Sequence, residues 1–208
     1  VEERNMVQAA YRSVAMVHAE EVDLVMNGRA LPVELMRAAL DRDKGLRIGK
    51  VITDVSVFEI PSFDRLIFVS DVAIVVSPNL AQKVAIVQNA IDTAIELGVE
   101  RPRVAILAAT EVVNPEMQAN MDAANLSKMA ERGQIRGGVV DGPLALDNAI
   151  SLKAAEMKNI KSQVAGHADI LITPDVESGN ILAKALVYFA KGRMAGVVVG
   201  AKCPIVMP

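Results

Sequence analysis

The chain has 208 residues, a formal net charge of −3 and 52% hydrophobic residues, enough for one large domain or two small ones with a sizeable core. The negative charge argues against a nucleic-acid binder, whose binding surface is normally basic, and no apolar run has the length of a membrane span. A single cysteine, Cys203, excludes an internal disulfide framework.

The first half of the chain predicts alternating helices and strands from the spacing of its apolar residues. A helix over residues 2–19 precedes a strand at 22–26, and a second helix begins at Pro32, because proline is favoured in the first helical turn. The clearest helix starts after Asn79 and ends at Gly98. Its apolar stripe advances by three or four residues through Leu80, Val84, Val87, Ile91 and Ile95. Between these helices, short apolar runs predict strands at residues 51–60, 66–69 and 72–76.

Strand and helix alternate regularly in the second half. The predicted strands cover residues 103–109, 137–140, 168–172, 195–199 and 203–207. The predicted helices cover 119–132 and 178–191, and a helix or a helix pair covers 144–158. Repeated strand–helix–strand units favour an α/β fold with a largely parallel sheet and flanking helices. A boundary between two lobes is predicted near residues 45–50. Residues 1–48 then form part of an incomplete first lobe, and residues 49–208 form a second lobe with a strand that returns to the first.

A tight turn is predicted at Asp141-Gly142-Pro143, since glycine permits unusual backbone geometry and proline fixes the next step. Ligands in open α/β sheets bind outside the carboxyl ends of strands, so this turn is a candidate site. Asp141 can be a general base, a hydroxyl acceptor or only a turn cap. Asp147 and Asn148 follow in the next helix, where the helix dipole favours a carboxylate and an amide can bind phosphate oxygens.

A second polar turn leads into the helix that is predicted to begin at Ser178-Gly179-Asn180. Free backbone N–H groups at a helix start bind anions, and Gly179 would let an anion approach closely. Ser178 can equally be only an N-cap. Lys184 lies four residues after Asn180, so both side chains should project from one side of the helix. An exposed lysine is also an ordinary solvated residue.

Two further segments supply polar candidates. Glu111 and Asn114 lie in a loop that follows a predicted strand, as a third wall of the same cleft. Arg47 offers a guanidinium, the natural partner of phosphate, although a lone arginine is more often a surface residue. His18 and His167 have no cysteine or histidine partners at ligand spacing, so we predict no metal site. The chain has no P-loop, dinucleotide fingerprint or serine-hydrolase elbow.

At these residues the chain resembles the phosphate acetyl/butyryl transferase family, and within it most of all the phosphate butyryltransferases. The resemblance covers roughly residues 20–208, with the matches in order. Residues 139–151 match the family's signature almost letter for letter, and residues 174–182 match except that the family usually has Ala in place of Ser178. Shorter matches lie at residues 58–61, 111–115, 128–133 and 200–206.

The resemblance implies a reversible acyl transfer, in which acyl-CoA and phosphate give acyl phosphate and CoA. It implies a two-lobed α/β fold like that of isocitrate and isopropylmalate dehydrogenases, with the active site between the lobes, and a homodimer. Coenzyme A, phosphate and a short-chain acyl phosphate would be substrates, with no metal or bound organic cofactor. The absence of a visible export signal predicts a cytoplasmic protein.

The chemistry assigns roles to the polar residues found above. Backbone N–H groups at residues 178–180 would stabilise a phosphate or an oxyanion, and Asp141 or Glu111 would help to take the thiol proton of CoA. The candidate catalytic residues are Asp141, Asn148 and Glu111. The candidate substrate-binding residues are Asn114, Gly142, Pro143, Asp147, Ser178, Gly179, Asn180, Lys184 and Arg47.

Three departures from the family keep alternatives open. The family continues after the last predicted strand into a Ser-Arg-Ala-Asp-Ser motif, and its first lobe normally has a longer N-terminal part. It also usually has Lys where Asn27 stands and a threonine near Pro32-Val33. We therefore expect the chain to be part of a longer protein. One alternative is a catalytically inactive module that binds CoA or acyl phosphate. Another is a dehydrogenase of the isopropylmalate type, for which no obvious metal-binding carboxylate set is present.

Overall fold

The computed structural model describes residues 3–28 and 31–207, which build one eight-stranded sheet flanked by helices. Residue 2, where the first helix was predicted to begin, lies outside this part. In chain order the elements are α1 (Met6–His18), β1 (Val25–Met26), α2 (Pro32–Ala39), β2 (Thr53–Glu59), β3 (Ile67–Ser70), α3 (Leu80–Glu96), β4 (Arg103–Leu107), α4 (Gln118–Glu131), β5 (Val139–Leu144), α5 (Leu146–Ile150), α6 (Leu152–Met157), β6 (Ile170–Ile172), α7 (Val176–Tyr188), β7 (Arg193–Val199) and β8 (Ile205–Met207).

The sheet is mixed, with strand order β1-β8-β7-β2-β3-β6-β4-β5. The pairs β1–β8, β3–β6, β6–β4 and β4–β5 are parallel, whereas β2 runs antiparallel to both β3 and β7, and β7 runs antiparallel to β8. The predicted α/β fold with flanking helices is thus confirmed, with a less uniformly parallel sheet than expected. The division into lobes near residues 45–50 stays a prediction.

The direction of β2 decides which residues meet at the functional edge of the sheet. Because β2 is antiparallel to β3, its first residues lie beside the carboxyl end of β3. The strands β3, β6, β4 and β5 are mutually parallel, so their carboxyl ends form one edge, called here the carboxyl edge. The start of β2 therefore belongs to the edge at which ligands bind in such sheets.

Helices cover both faces of the sheet through three apolar clusters. On one face, α3 and α4 pack against Val55 of β2 and Phe68 of β3. On the other face, α5, α6 and α7 pack against Phe58. The side chains of α1 and α2 pack on that second face too, against Val198 and Ile205. Asp54 and Ser56 alternate with Val55 along β2 and so lie on the second face.

One predicted strand is wrong. Residues 72–76 form turns instead, because the Asp71 carboxylate accepts hydrogen bonds from the backbone N–H groups of Ala73, Ile74 and Val75 at 2.8–3.3 Å. An aspartate that binds its own neighbouring N–H groups builds a turn. Residues 72–76 are all apolar and therefore predict a strand. The carboxylate that turns their backbone belongs to Asp71, outside the run.

The helix predicted after Asn79 is confirmed as α3, and a capping box between Asn79 and Gln82 begins it. Gly98 follows its end with a φ of 95°, a conformation that favours glycine. The buried face is rotated from the predicted stripe, since Ile95 is exposed and Lys83 is buried. The apolar spacing missed Lys83 because a lysine is rarely buried without a partner.

Candidate functional site

A cluster of charged and amide side chains joins the loop after β4 to α5 and the end of α6. Lys158 Nζ lies 2.9 Å from Glu111 Oε2 and 3.6 Å from Asp147 Oδ2. Asn148 Nδ2 donates to Glu111 Oε2 at 3.2 Å. The structure therefore brings together three of the predicted residues, Glu111, Asp147 and Asn148, through Lys158. The sequence reasoning missed Lys158, because its two acidic partners are separate in sequence.

The electrostatics of this cluster favour an ionised Glu111. The Lys158 side chain, which donates a hydrogen bond to Glu111, is the largest of the influences that lower the pKa of that carboxyl group, and Asn148 adds to them. Glu111 raises the pKa of Lys158 in turn. A carboxylate held ionised by a cation is a weak base, so in this conformation Glu111 is poorly suited to take a thiol proton.

Asn148, which was predicted as an amide suited to phosphate oxygens, is fully buried. Its Oδ1 is enclosed without a hydrogen-bond partner among the described residues. The helix α5 is only five residues long, and its buried side carries Asn148 and Ala149. Ala149 belongs to the apolar cluster on the second face of the sheet. Asn148 thus orients Glu111 from inside and does not present its amide at the surface.

The predicted turn at Asp141-Gly142-Pro143 is wrong, because β5 continues through these residues to Leu144. The register between β4 and β5 shifts at this point, as in a β-bulge. A Cβ on Gly142 would lie 2.8 Å from Ile106 Cβ, so glycine is required for the close approach of the two strands. Pro143 is compatible with β5 because β5 is the edge strand.

Asp141 and Asn114 make only local contacts. Asp141 Oδ1 accepts a hydrogen bond from the Gly142 backbone N–H at 2.8 Å and one from Ser127 Oγ at 3.4 Å. Asn114 Oδ1 accepts the backbone N–H of Glu116 at 2.9 Å. No hydrogen bond between described residues joins these side chains to the Lys158 cluster.

The helix α7 begins two residues earlier than predicted, and Asp175 is its N-cap. Asp175 Oδ1 accepts the Ser178 backbone N–H at 2.8 Å and the Ser178 hydroxyl at 2.7 Å. The Gly179 N–H bonds to the Asp175 carbonyl. The N–H groups of Ser178 and Gly179 are therefore already satisfied, and the predicted anion site at residues 178–180 is not formed. These contacts with Ser178, first of all the bond from its backbone N–H, lower the pKa of Asp175.

Gly179 and Asn180 bind the loop after β3 to α7. A Cβ on Gly179 would lie 2.4 Å from the Asp71 carbonyl oxygen and 2.7 Å from Thr173 Oγ1. Asn180 Nδ2 donates to the Val72 carbonyl at 3.2 Å. Lys184 Nζ reaches Asn180 Oδ1 at 2.6 Å, which confirms that these two residues project from one side of the helix. The glycine at position 179 thus lets the first turns of α7 pack closely against the loop after β3 and against Thr173.

Gly179→Ala should therefore destabilise the protein by about 1–3 kcal/mol, because the added methyl group forces two backbone segments apart. The better helix propensity of alanine offsets only about 1 kcal/mol of this cost. Gly28→Ala is the matched control, since a Cβ at Gly28 meets nothing within 4 Å. Urea unfolding of both variants measures the difference, and equal stability of the two would contradict the packing argument.

Two buried acids at the carboxyl edge were not predicted as site residues. Asp54 and Asp71 are each only 3% exposed. The Asp54 backbone N–H donates to Asp71 Oδ2 at 3.2 Å, and Ser56 Oγ donates to Asp54 Oδ2 at 2.8 Å. Burial raises the pKa of Asp54 to about 7, and the charge of Asp71 contributes to the rise. Burial also raises the pKa of Asp71. The sequence places Asp54 in a predicted strand and Asp71 between two short apolar runs, and nothing marks them as neighbours.

Another buried ion pair crosses between α3 and α4. Lys83 Nζ lies 2.7 Å from Asp122 Oδ2, and the two residues are 6% and 4% exposed. Gln118 Nε2 donates to the other oxygen of Asp122 at 2.8 Å. The Lys83 charge also helps to lower the pKa of Asp175. This lysine therefore influences the first turn of α7 as well as α4.

Arg47 lies in a separate cleft of about 460 Å³. The cleft, called here the Arg47 cleft, lies between the segment before β2 and the loop after β3, and it includes Leu40, Arg47, Lys50, Val76, Ser77 and Gln82. Its lining contains no acidic residue, and neither Arg47 nor Lys50 makes a salt bridge within residues 3–28 and 31–207. Two unpaired cations without a carboxylate favour an anionic ligand.

A larger, mainly apolar groove of about 530 Å³ lies between α3 and the β7–β8 strands. None of the predicted site residues lines it. The groove follows the face of the sheet through Val57, Val197 and Val206. Its polar lining includes Lys50, Asn89 and Thr93, but also the carboxylates of Asp92 and Glu96, which would repel a phosphate.

Comparison with known proteins decides the family. The model of the phosphate acetyl/butaryl transferase family matches residues 1–207. The chain belongs to this family. It is 44% identical over 207 residues to the phosphate butyryltransferase of Clostridium acetobutylicum, and 48% identical over 200 residues to the phosphate acetyltransferase of Thermotoga maritima. These matches cover 100% and 96% of the chain, and 69% and 68% of the two relatives.

The fold agrees with that of solved phosphate acyltransferase family members. The branched-chain phosphotransacylase of Enterococcus faecalis V583 superposes with a TM-score of 0.88 at 29% identity, over all of the chain and 74% of that protein. The family resemblance read from residues 139–151 and 174–182 is therefore confirmed. Within the part of the chain that the structure describes, none of the helices is long and apolar enough to cross a membrane.

Proposed function

We propose that the protein catalyses the reversible transfer of a short acyl group, butyryl or similar, between CoA and inorganic phosphate. The family membership and the identities of 44% and 48% with a butyryl and an acetyl enzyme support this activity. We include in the proposal a two-lobed arrangement like that of isocitrate and isopropylmalate dehydrogenases, with the site between the lobes. A homodimer and a cytoplasmic location complete it.

The reaction sets clear demands on the site. The sulfur of CoA attacks the carbonyl carbon of the acyl phosphate, the new C–S bond forms, and the C–O bond to phosphate breaks. The thiol proton must leave the sulfur, and the departing phosphate must be held by cations or N–H donors. The reverse reaction uses phosphate as the nucleophile and CoA as the leaving group, so the same groups serve both directions.

The Arg47 cleft is the observation that carries the assignment of the phosphate site. Within residues 3–28 and 31–207 its two cations form no salt bridge, and no carboxylate lines the cleft to compete with an anion. Arginine is well suited to the planar, bidentate recognition of phosphate. The α7 start cannot take this role in the present conformation, because Asp175 already occupies the N–H groups of Ser178 and Gly179.

The remaining predicted residues take supporting roles in the proposal. Asp141 is our candidate to take the thiol proton, since it is half-buried and its Oδ2 accepts no hydrogen bond from the described residues. Glu111 and Asn148 hold the Lys158 ammonium at the end of α6. Lys158 is then a third cation, after Arg47 and Lys50, for the acyl phosphate or CoA, with Asp147 beside it.

Arg47→Met should raise the KM for butyryl phosphate by about 10–100-fold, which corresponds to the loss of a charge-assisted hydrogen bond of about 1.5–3 kcal/mol. Thioester formation from butyryl phosphate and CoA measures the effect, with acetyl phosphate assayed alongside. Arg12→Met is the matched control, because Arg12 is an exposed residue of α1 outside the cleft. An unchanged KM in Arg47→Met would remove this cleft from the proposal, whereas no turnover by the wild type would remove the activity itself.

A further inference from the structure

We propose that Asp54 and Asp71 form a proton-linked positioning pair, which holds the loop of residues 71–77 against β2 and thereby shapes one wall of the Arg47 cleft. The functional half of this inference rests on the proposed phosphate site. The positioning half is a property of the fold and can be tested without a substrate.

The geometry of the pair links two backbone segments. Asp71 accepts the backbone N–H of Asp54 with Oδ2 and binds the N–H groups of three loop residues, Ala73, Ile74 and Val75. Ser70 Oγ donates to the Asp54 carbonyl at 2.6 Å. The Asp71 side chain is thus the common anchor of β2 and of the loop that follows β3.

The same loop connects to both candidate regions. On one side, Thr173 Oγ1 donates to the Asp71 carbonyl at 3.2 Å, and Asn180 of α7 donates to the Val72 carbonyl. On the other side, residues 74–77 line the Arg47 cleft. A shift of Asp71 would therefore move the wall of the cleft that faces Arg47 and Lys50.

No cation among the described residues offsets the two acids. On β2, the neighbour of the Asp54 carboxylate is the Ser56 hydroxyl, which donates a hydrogen bond to it. On β7, the residues opposite Asp54 and Ser56 are Val198 and Gly196, which carry no charge. The loop contributes Asp71, a like charge. The neighbouring cations act elsewhere, Lys83 on Asp122 and Asp175, and Lys184 on Asn180.

Asp54 is buried and has no cation beside it among the described residues, so its protonated, neutral form is favoured. With Asp54 neutral, Asp71 can stay ionised and hold its N–H donors. An exposed aspartate loses its proton near the ordinary pKa of 3.8, whereas the buried Asp54 keeps it to a pKa of about 7. Opening the loop to water therefore releases a proton between these two values. The closed loop loses relative stability as the pH rises through this window, and the loss is complete above about 7.

Hydrogen exchange of the Ala73, Ile74 and Val75 amides tests the pair in the intact protein. We expect their protection to fall by about tenfold for each pH unit between roughly pH 5 and pH 7, and to level off above, because one proton is released per opening. Asp54→Asn keeps the neutral form at position 54, so its protection should change far less over the same range, through the raised pKa of Asp71 alone. Asp71→Asn removes the charged acceptor and should leave these amides weakly protected throughout.

A kinetic comparison separates this inference from the proposed activity. If the loop shapes the phosphate wall, Asp71→Asn, which removes the anchor of the loop, should raise the KM for phosphate by at least several-fold over the wild type, with kcat little changed. A pH-independent protection of the wild-type amides would overturn the pair. Weak protection of the loop amides in Asp71→Asn with an unchanged KM for phosphate would overturn its link to the cleft, and absent turnover would overturn only the proposed activity.

Discussion

Lys83→Met should lower the free energy of unfolding by about 3–5 kcal/mol, since it leaves the charge of Asp122 buried and unpaired. Asp122 is 4% exposed and retains only the Gln118 amide as a side-chain donor in that variant. Methionine fills nearly the same volume as the lysine stem, so the effect reports the lost ion pair and not a cavity. Urea unfolding at neutral pH measures it.

The double variant Lys83→Met with Asp122→Leu is the matched control. Replacing both members of a buried pair with apolar residues is often neutral or stabilising, because no charge then has to be removed from water when the protein folds. We expect it to recover most of the loss in the single variant. A double variant as unstable as Lys83→Met would show that packing between α3 and α4, and not the buried charge, causes the loss.

Asp54→Asn should make the protein more stable than the wild type at about pH 8, by roughly 4 kcal/mol at most. The folded-state pKa of Asp54 is raised from 3.8 to about 7, so the folded wild type binds an extra proton between these values. Its stability therefore falls as the pH rises from about 4 to about 7. Asparagine has no ionisable proton, so the free energy of unfolding of the variant does not show this decrease.

The difference between the two stability curves isolates the Asp54–Asp71 pair from the carboxylates outside it, because the pKa of Asp71 is also raised and its charge acts on Asp54. Asp41, Glu111, Glu131 and Asp175 have lowered pKa values, and their contribution to stability is lost as the pH falls, in both proteins alike. The difference should be small below about pH 4 and constant above about pH 7. A difference that does not change with pH would contradict the burial of an ionisable Asp54.

The fold was largely predictable from local patterns. The predicted helices at the α1, α2, α3, α4 and α7 positions are present, because each has an apolar face of helical spacing or a clear cap or terminal glycine. The strand predicted at residues 72–76 is absent because a single carboxylate, that of Asp71, accepts hydrogen bonds from their backbone. The turn predicted at residues 141–143 is absent because Gly-Pro after a strand usually indicates a turn, although an edge strand also accepts proline.

The candidate site was less predictable, because its contacts cross long stretches of sequence. The family signature marked Glu111, Asp147 and Asn148, but only the folded chain joins them through Lys158. The anion site expected at residues 178–180 depends on which residue caps α7, and Asp175 takes that position. Asp54 and Lys83 escaped notice because their burial follows from partners 17 and 39 residues away.

Phosphate-dependent release of CoA from butyryl-CoA tests the central claim most directly. The free thiol is titrated over time in the presence and absence of inorganic phosphate, and butyryl phosphate is identified as the second product. We expect thiol release that requires phosphate and yields one butyryl phosphate for each CoA. Release at the same rate without phosphate, with butyrate as the product, would show a thioester hydrolase and contradict the assignment. The absence of release, with CoA still bound, would leave only a binding protein.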